Sequence, residues 1–585
     1  MPERDYPVKI QEVFEAKTVS CIDDEGSRYL YDFGQNASGI IQIQVKGKRG
    51  DTIRFIPAEL IKENREAEQN ASGAPFYFLY VLKGKGVETW TPAFTYYGFR
   101  YVEVEGAVPD TVSGFNNLPE IVNLKLLHTR NSAPRTGNFH TSFALFNQIN
   151  SLILWAINSN LQSVVTDCPH REKLGWLEQT HLMGGSIHYN YDVYHLYCKL
   201  IDDMIYAQTP QGLVPDIAPE YTEFTGGFRD SPEWGSASVI LPWLVYQWYG
   251  DITPIEKAWE MMIRYVNYLQ ENSENHILYH GLGDWYDLGP DMPGFAQLTP
   301  AALTAIAFYY YDIILLSRMA GILGKNDQVK TCEILAKKVK EAFNEKFFDR
   351  VSKVYATGSQ TAMSIPLVLG LVEENDREAV FDNLVDSIHA SNNALTAGDI
   401  GFHFLVKALQ EGEAGNLLFD MNARDDVPGY GYQLKKGATA LTESWAALER
   451  VSNNHLMLGH IMEWFYSGLA GISQTEKSIA YKDIMIEPQI IDSIDSVSAD
   501  FESPYGTIVS QWQKKDNGIL LQVSIPVNTN TVIVLPAGEK NDIREGGKLI
   551  QDVEGLEILE KRDGKVFVKA GSGEYKFFVE QSSTR

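Results

Sequence analysis

"FNQINSLILWAINSNLQSVVTDCPHREKLGWLEQTH", residues 146–181, changes character halfway along. Phe146, Ile149, Ile153, Ile157, Leu161 and Val164 recur at steps of three and four, the spacing that lines one face of a helix. Pro169 lacks an amide hydrogen and biases Cys168 away from helical geometry, so a helix cannot continue through it. The spacing predicts a helix running to near Val165, followed by a loop that crowds Asp167, Arg171, Glu172, Lys173, Trp176 and Glu178 together. The same periodicity returns at Leu303, Ile306, Tyr310, Ile313 and Ala320, and at Leu458, Ile461, Phe465, Leu469 and Ile472. Gly/Pro/Asp-rich breaks such as "TPQGLVPDIAP", "GLGDWYDLGPDMPG" and "RDDVPGYGYQLKKGA" punctuate the region. A region of this length with short loops holds about a dozen helices. A dozen helices in paired hairpins can close into an (α/α)6 toroid with the loops at its mouth.

Strand patterns flank this helical region. "GIIQIQVKG" (39–47) alternates Ile41, Ile43 and Val45 with Gln42, Gln44 and Lys46, the period of a half-buried strand, and "YYGFRYVEVEG" (96–106) is a second such run. Towards the other end, "GILLQVSIPVNTNTVIVLPAG" (518–538) alternates Leu521, Val523 and Ile525 before a turn-rich break. The expected architecture is multidomain α and β. It comprises an N-terminal β-sandwich over 1–130, a central (α/α)6 barrel over 131–474 and a C-terminal β-sandwich over 475–585.

Composition narrows the function classes. The 585 residues exceed one hydrophobic core, and 44% hydrophobic with 22% charged residues is an ordinary globular balance. A formal charge of −26 argues against binding nucleic acid or anionic lipid through bulk electrostatics. No apolar run reaches membrane-span length, so no membrane insertion is expected. The start "MPERDYPVKI" lacks the apolar region of a signal peptide. Cys21, Cys168, Cys198 and Cys332 show neither pairing nor metal spacing. His181, His188 and His195 are spaced by seven, a climb of about 10.5 Å on a helix. That is too far for two imidazoles to share one ion at about 2 Å each, so they are expected to form a helix stripe, with no metal. Oligomeric state is not legible.

The loop at 164–181 has two readings on its residues alone. It is a salt-bridged loop anchored by Trp176, or one half of a site for a neutral, hydroxyl-rich ligand. In the second reading Glu172 is a plausible proton donor, with Asp167 and Glu178 raising its pKa and Arg171 and Lys173 lowering it. A partner carboxylate is then needed, and Glu443 in "KKGATALTESWAALER" is the best candidate. A glycine-bearing loop runs into an apolar-periodic stretch there, which places Glu443 in the first turns of a helix, where the dipole favours a charged carboxylate.

"TDCPHREKLGWLEQ" closely resembles the hallmark loop of the bacterial α-L-rhamnosidases of glycoside hydrolase family 78. The similarity extends over nearly all of the chain. "YDFGQNASGIIQIQVKGKRGD" and "WTPAFTYYGFRYVEVEG" resemble the family's first β-sandwich. "GGFRDSPEWGSASVILPWLVYQWYGD", "GLGDWYDLG" and "LTAGDIGFHFL" resemble its barrel, and "FESPYGTIVSQW" its C-terminal β-sandwich. The resemblance implies a cofactor-free, inverting, exo-acting hydrolase of terminal α-L-rhamnose, with a rhamnose-containing glycan or glycoside as its partner. Periplasm or cytoplasm is the compartment expected of such a bacterial enzyme.

Carried over by position, Glu172 is the general acid and Glu443 the general base, with Asp167, Arg171, Trp176, Glu178, Trp445 and His455 as substrate contacts. Asp230, Glu233, Trp234, Asp284 and Trp285 lie in family-like loops and are further sugar-contact candidates. There is one departure. The acid that often sits three residues after the loop tryptophan is Gln179 here, with Glu178 one place earlier. That departure keeps open a hydrolase retuned to another sugar; a non-catalytic glycan-binding protein is a separate alternative, against which the retention of both candidate acids speaks.

Overall fold

The computed structural model describes residues 6–72, 75–112, 117–475, 477–538 and 541–580. Residues 1–5, the opening of the start read above, lie outside that set. Contacts group the chain into two compact units, each assembled from three stretches.

The first unit comprises Met1–Ser132, Ser151–Trp176 and Asp425–Met457. Among the described residues its main sheet runs in the order Val8–Glu15, Glu120–Asn131, Arg28–Lys46, Tyr97–Glu105, Thr52–Ala58, Phe78–Val81. The two runs expected as strands are adjacent and antiparallel, with Gly39 opposite Tyr97 and Tyr31 opposite Val102. Ile41, Ile43 and Val45 are fully buried with Phe55, Phe99, Val102 and Val104, while Gln42 and Gln44 are half-buried. The alternation thus buries one face of the strand in an aliphatic and aromatic core. Pairing along Arg28–Lys46 breaks between Asp32 and Ala37. Such a break bends a strand and re-aims the side chains at it, and here it frees Gln35 and Asn36 from the sheet.

The second unit comprises Ala133–Asn150, Leu177–Arg424 and Leu458–Arg585. Its helices pack as hairpins, Ala237–Tyr249 on Thr253–Glu271 and Ala301–Ile322 on Asn326–Phe347. Gly250 closes the first of these in the left-handed region, with φ of +78°. Gln360–Val368 packs on both Arg377–Ala390 and Asp399–Glu411. Ala301–Ile322 is long and apolar enough to cross a membrane, but 67% of its most apolar window is buried inside the unit, as in a core helix. Among the described residues, a seven-stranded sheet, a five-stranded sheet and the short pair Phe348–Asp349 with Val354–Tyr355 complete the unit, and Leu521, Val523 and Ile525 point into its core as their alternation predicts. Gly137–Thr141, inside the stretch expected to be helical, is a strand paired with Ser496–Ser503.

Three local expectations need correction. The first helix spans Ala144–Asn160 and stops short of Val165. Asn160 ends it, because its backbone oxygen accepts from Thr166 N at 2.9 Å and its side-chain oxygen from the Thr166 hydroxyl at 2.9 Å. The Asn160 amide also donates to Ala156 O at 3.0 Å, the kind of side chain–backbone bond by which asparagine competes at helix ends. His181, His188 and His195 sit on three separate helices, Glu178–Leu182, Gly184–His188 and Tyr194–Ala207, and not on one stripe. Residues 441–460 are irregular, so Glu443 lies on a loop and no helix dipole acts on it; the next helix is Ile461–Trp464.

Candidate active site

Within the first unit, the loop 167–176 and the loop 439–455 meet beside the sheet. Pro169 packs on Gly98 of the strand Tyr97–Glu105, where a side chain would run into the proline ring. Asp167 ties the first loop to itself and to the second. Its Oδ1 accepts from Leu174 N at 2.9 Å, and its backbone oxygen accepts from Leu456 N at 2.8 Å. Lys173 is turned away from the acids, donating to Tyr96 O at 2.6 Å with its ammonium over the Tyr96 ring.

Arg171 stands between the two candidate catalytic acids. Its Nε lies 3.2 Å from Glu172 Oε1 and its Nη2 lies 3.3 Å from Glu443 Oε2. Those two contacts and the width of one guanidinium group limit the separation of these oxygens to about 9 Å. Trp176 Nε1 donates to Glu172 Oε2 at 2.9 Å. Ser452 N donates to Glu443 Oε2 at 2.9 Å, and His455 Nδ1 lies 3.9 Å from the same oxygen. Trp445 is fully buried, with Tyr430 edge-on at 5.1 Å. One unit therefore brings together Asp167, Arg171, Glu172, Trp176, Glu443, Trp445 and His455.

Burial dominates the electrostatics. Asp167 is pushed up to about 8 by desolvation and then by the neighbouring Glu172 charge. Burial works against the charge on Arg171, but Glu443 above all, with Glu172 and Asp167 among the others, holds it above its ordinary value. Asp167, Cys168 and His455 bring three donor atoms within 4.8 Å of one another. Burial raises the Cys168 thiol and the Asp167 carboxyl above their ordinary values.

Sequence reasoning missed the residues that hold these loops. Glu59 is buried at the end of the strand Thr52–Ala58. Its Oε2 lies 2.9 Å from His170 Nε2 and accepts from Asn453 N at 2.9 Å, and its Oε1 accepts from Asn36 Nδ2 at 2.9 Å. His170 Nε2 is also 2.9 Å from Ser452 Oγ. Asn36 N and Gln35 Nε2 reach Thr439 at 2.9 and 2.7 Å. Glu59 carries no local signal, since a lone acid after a strand is ordinary. His170 was in the loop but had no visible partner.

The second unit holds the other candidates. Glu178 begins the helix Glu178–Leu182, buried, with its carboxyl raised well above its ordinary value by burial and the charge of Asp399. Asp230 Oδ2 accepts from Tyr268 Oη at 2.5 Å, and His280 Nε2 lies 3.4 Å from its other oxygen. Trp234 is buried in the helix Pro232–Gly235. Asp284 is fully buried and accepts from Gly398 N at 3.0 Å and Gly401 N at 2.8 Å, with burial pushing it up to about 7. Trp285 is half-buried and packs edge-on against Phe228 and Phe295, each at 5.7 Å. Glu233, singled out with Asp230 and Trp234, is fully buried, and sequence reasoning missed Phe228, Phe295 and the buried acids Asp216 and Asp399.

Helical hairpins set between sheet domains, with acid-bearing loops, define the six-hairpin class of fold. Residues 134–469 match the bacterial alpha-L-rhamnosidase 6 hairpin glycosidase domain. Residues 23–122 match the concanavalin-like domain of the same proteins, and residues 471–549 their C-terminal domain. The chain belongs to the bacterial α-L-rhamnosidase family. A curated α-L-rhamnosidase of Formosa agariphila is 27% identical over 593 residues, covering 99% of this chain and 62% of its own length. The solved α-L-rhamnosidase from Dictyoglumus thermophilum is 30% identical with a TM-score of 0.91, covering 98% of this chain and 64% of its own. That of Streptomyces avermitilis, solved with L-rhamnose, is 28% identical with a TM-score of 0.89, covering 99% and 54%. The chain thus spans between 54% and 64% of the length of these relatives.

Proposed function

We propose that the chain is an inverting, exo-acting hydrolase of terminal α-L-rhamnose that needs no cofactor. The observation that carries this reading is Arg171, whose guanidinium faces Glu172 on one side and Glu443 on the other. An inverting glycosidase requires two carboxyl groups about 6.5–9.5 Å apart, with room for a water between them, and the limit of about 9 Å set by the shared guanidinium is compatible with that range. Glu172 supplies the proton. As the bond from the anomeric carbon to the leaving oxygen breaks, its electron pair stays on that oxygen, which takes the Glu172 proton. Water attacks the same carbon from the opposite face, and its proton passes to Glu443. The donors facing Glu443, Ser452 N and Arg171, are the partners that a carboxylate base accepts from.

Asp167, Arg171, Trp176, Trp445 and His455 are proposed to hold or enclose the sugar, and Glu178, Asp230, Trp234, Asp284 and Trp285 are separately proposed as sugar contacts. Rhamnose bound in the Streptomyces relative supports the choice of sugar. The domain division proposed with this reading remains 1–130, 131–474 and 475–585. Glu443→Gln is expected to lower kcat on an aryl α-L-rhamnoside by about a thousandfold while leaving the melting temperature near wild type. NMR of the first turnovers is expected to show β-L-rhamnose. Undiminished activity of the variant, or α-L-rhamnose as the first product, sinks the assignment. Gln179 favours one further reading, a preference for another sugar, which a panel of aryl glycosides distinguishes.

A further inference from the structure

One cavity of about 510 Å³ is walled entirely by the second unit. Its sides are the later turns of Ala237–Tyr249, Ala301–Ile322 and Asp399–Glu411, and Ile472–Gln474 contributes at one edge. That volume falls within the range of small-molecule sites. None of the residues assigned above to catalysis or sugar contact lines it.

The charged side chains in its wall, Arg318, Lys407, Glu411 and Glu463, are two of each sign. Lys407 lies 3.6 Å from Glu463, and 37% of its side chain remains accessible. Burial, the largest single influence, lowers the Lys407 ammonium, but Glu463, Tyr311 and Glu411 together outweigh it and hold the group above its ordinary value. Glu411 is engaged by Arg377 at 3.2 Å. His181 and His188 are pushed down to about 4 and about 3 by burial, and His403 falls well below its ordinary value for the same reason. The imidazoles therefore add no charge at neutral pH. A lining of this kind offers no net field to an ion.

It offers hydrogen bonds and aromatic surface instead. Gln247 and Gln410 contribute amides, while Gln474 is held by Gln247 O and Tyr481 N and the Ser467 hydroxyl donates to Glu463 O. Trp248 stacks on His188 with centroids 4.2 Å apart and planes 3° apart, which fixes the indole. The Lys407–Glu463 separation of 3.6 Å is longer than a closed charge-assisted hydrogen bond. A hydroxyl there could accept from the ammonium and donate to the carboxylate. Gly185 makes room for that carboxylate, since a side chain on it would occupy the same space.

We infer that this cavity is a second, non-catalytic saccharide site for one or two neutral sugar rings, held at the Lys407–Glu463 pair. A second cleft of about 500 Å³ shares Gln410, Glu411, Ser467 and Ser473 with it, and offers a longer glycan a way onward.

Equilibrium dialysis of the intact chain against L-rhamnose, D-glucose and D-galactose, each up to tens of millimolar, tests this. At least one sugar is expected to show a binding class that Lys407→Met and Glu463→Gln each weaken about tenfold or more. Hydrolysis of an aryl rhamnoside is expected to stay within about twofold of wild type in both. Gln410→Leu, with no charge removed, serves as the third probe if either variant misfolds. The inference fails if none of the three sugars shows a binding class sensitive to these substitutions. A wild-type chain that cleaves no rhamnoside but keeps a Lys407-dependent sugar class overturns the reaction proposed above and retains this site.

Discussion

Arg171 concentrates the chemistry at the residue scale, because one planar cation faces both candidate acids. A lysine is a single point charge and cannot serve two carboxylates with that geometry. Arg171→Lys is therefore expected to lower kcat/KM by about a hundredfold on aryl rhamnosides, in steady-state assays. Asp167 yields a stability prediction. Its carboxyl is raised to about 8 in the fold, against about 3.9 in an unfolded chain. Between those values the folded chain holds a proton that the unfolded chain has lost, so this residue's contribution falls as pH rises from about 4 to 8. Asp167→Asn removes the titration, and its melting temperature is expected to decline less steeply over that interval than that of wild type. Glu172, Arg171 and Trp176 were legible because they sit together in one short stretch. Glu59 was not, because its partners Asn36, His170 and Asn453 come from three other parts of the chain.

At the scale of elements, periodicity found the strands Arg28–Lys46 and Tyr97–Glu105 and the first helix, since each buries one face. It misplaced that helix's end, where a backbone bond from Thr166 N to Asn160 O and a side-chain bond from the Thr166 hydroxyl to Asn160 Oδ1 outweighed a continuing apolar pattern. It also wrote a helix around Glu443, where Leu441, Trp445 and Leu448, at steps of four and three, imitate helical spacing in an irregular loop. The close approach of the strand Tyr97–Glu105 to Pro169 carries its own test. Gly98→Ala puts a methyl group against the proline ring, and neither the strand backbone nor the ring yields easily. The loop bearing Glu172 must shift, and kcat is expected to fall about tenfold or more, since small displacements of catalytic groups are costly. A wild-type kcat in this variant refutes the idea that the strand sets the loop's position.

On the scale of the whole molecule, three sequence regimes were legible from composition and period, and the family match over residues 134–469 accords with the helical middle. The grouping of contacts was not, because each compact unit gathers three separated stretches. Glu59 stitches all three stretches of the first unit, through Asn36, His170 and Asn453. Glu59→Ala leaves those polar groups buried without their acceptor and is expected to cost about 3 kcal/mol, read from the denaturant midpoint. Activity is expected to fall with it, as both loops lose a common anchor.

That discontinuity has a consequence for biosynthesis. The first sheet leaves the ribosome early, yet the last piece of its unit, Asp425–Met457, is made more than 290 residues after Ser132. At about 5–20 residues per second, the interval is on the order of half a minute. During that interval a nascent sheet carries Asn36 and Glu59 without their later partners. A chain built this way should depend on chaperone protection during translation more than one whose domains close in order.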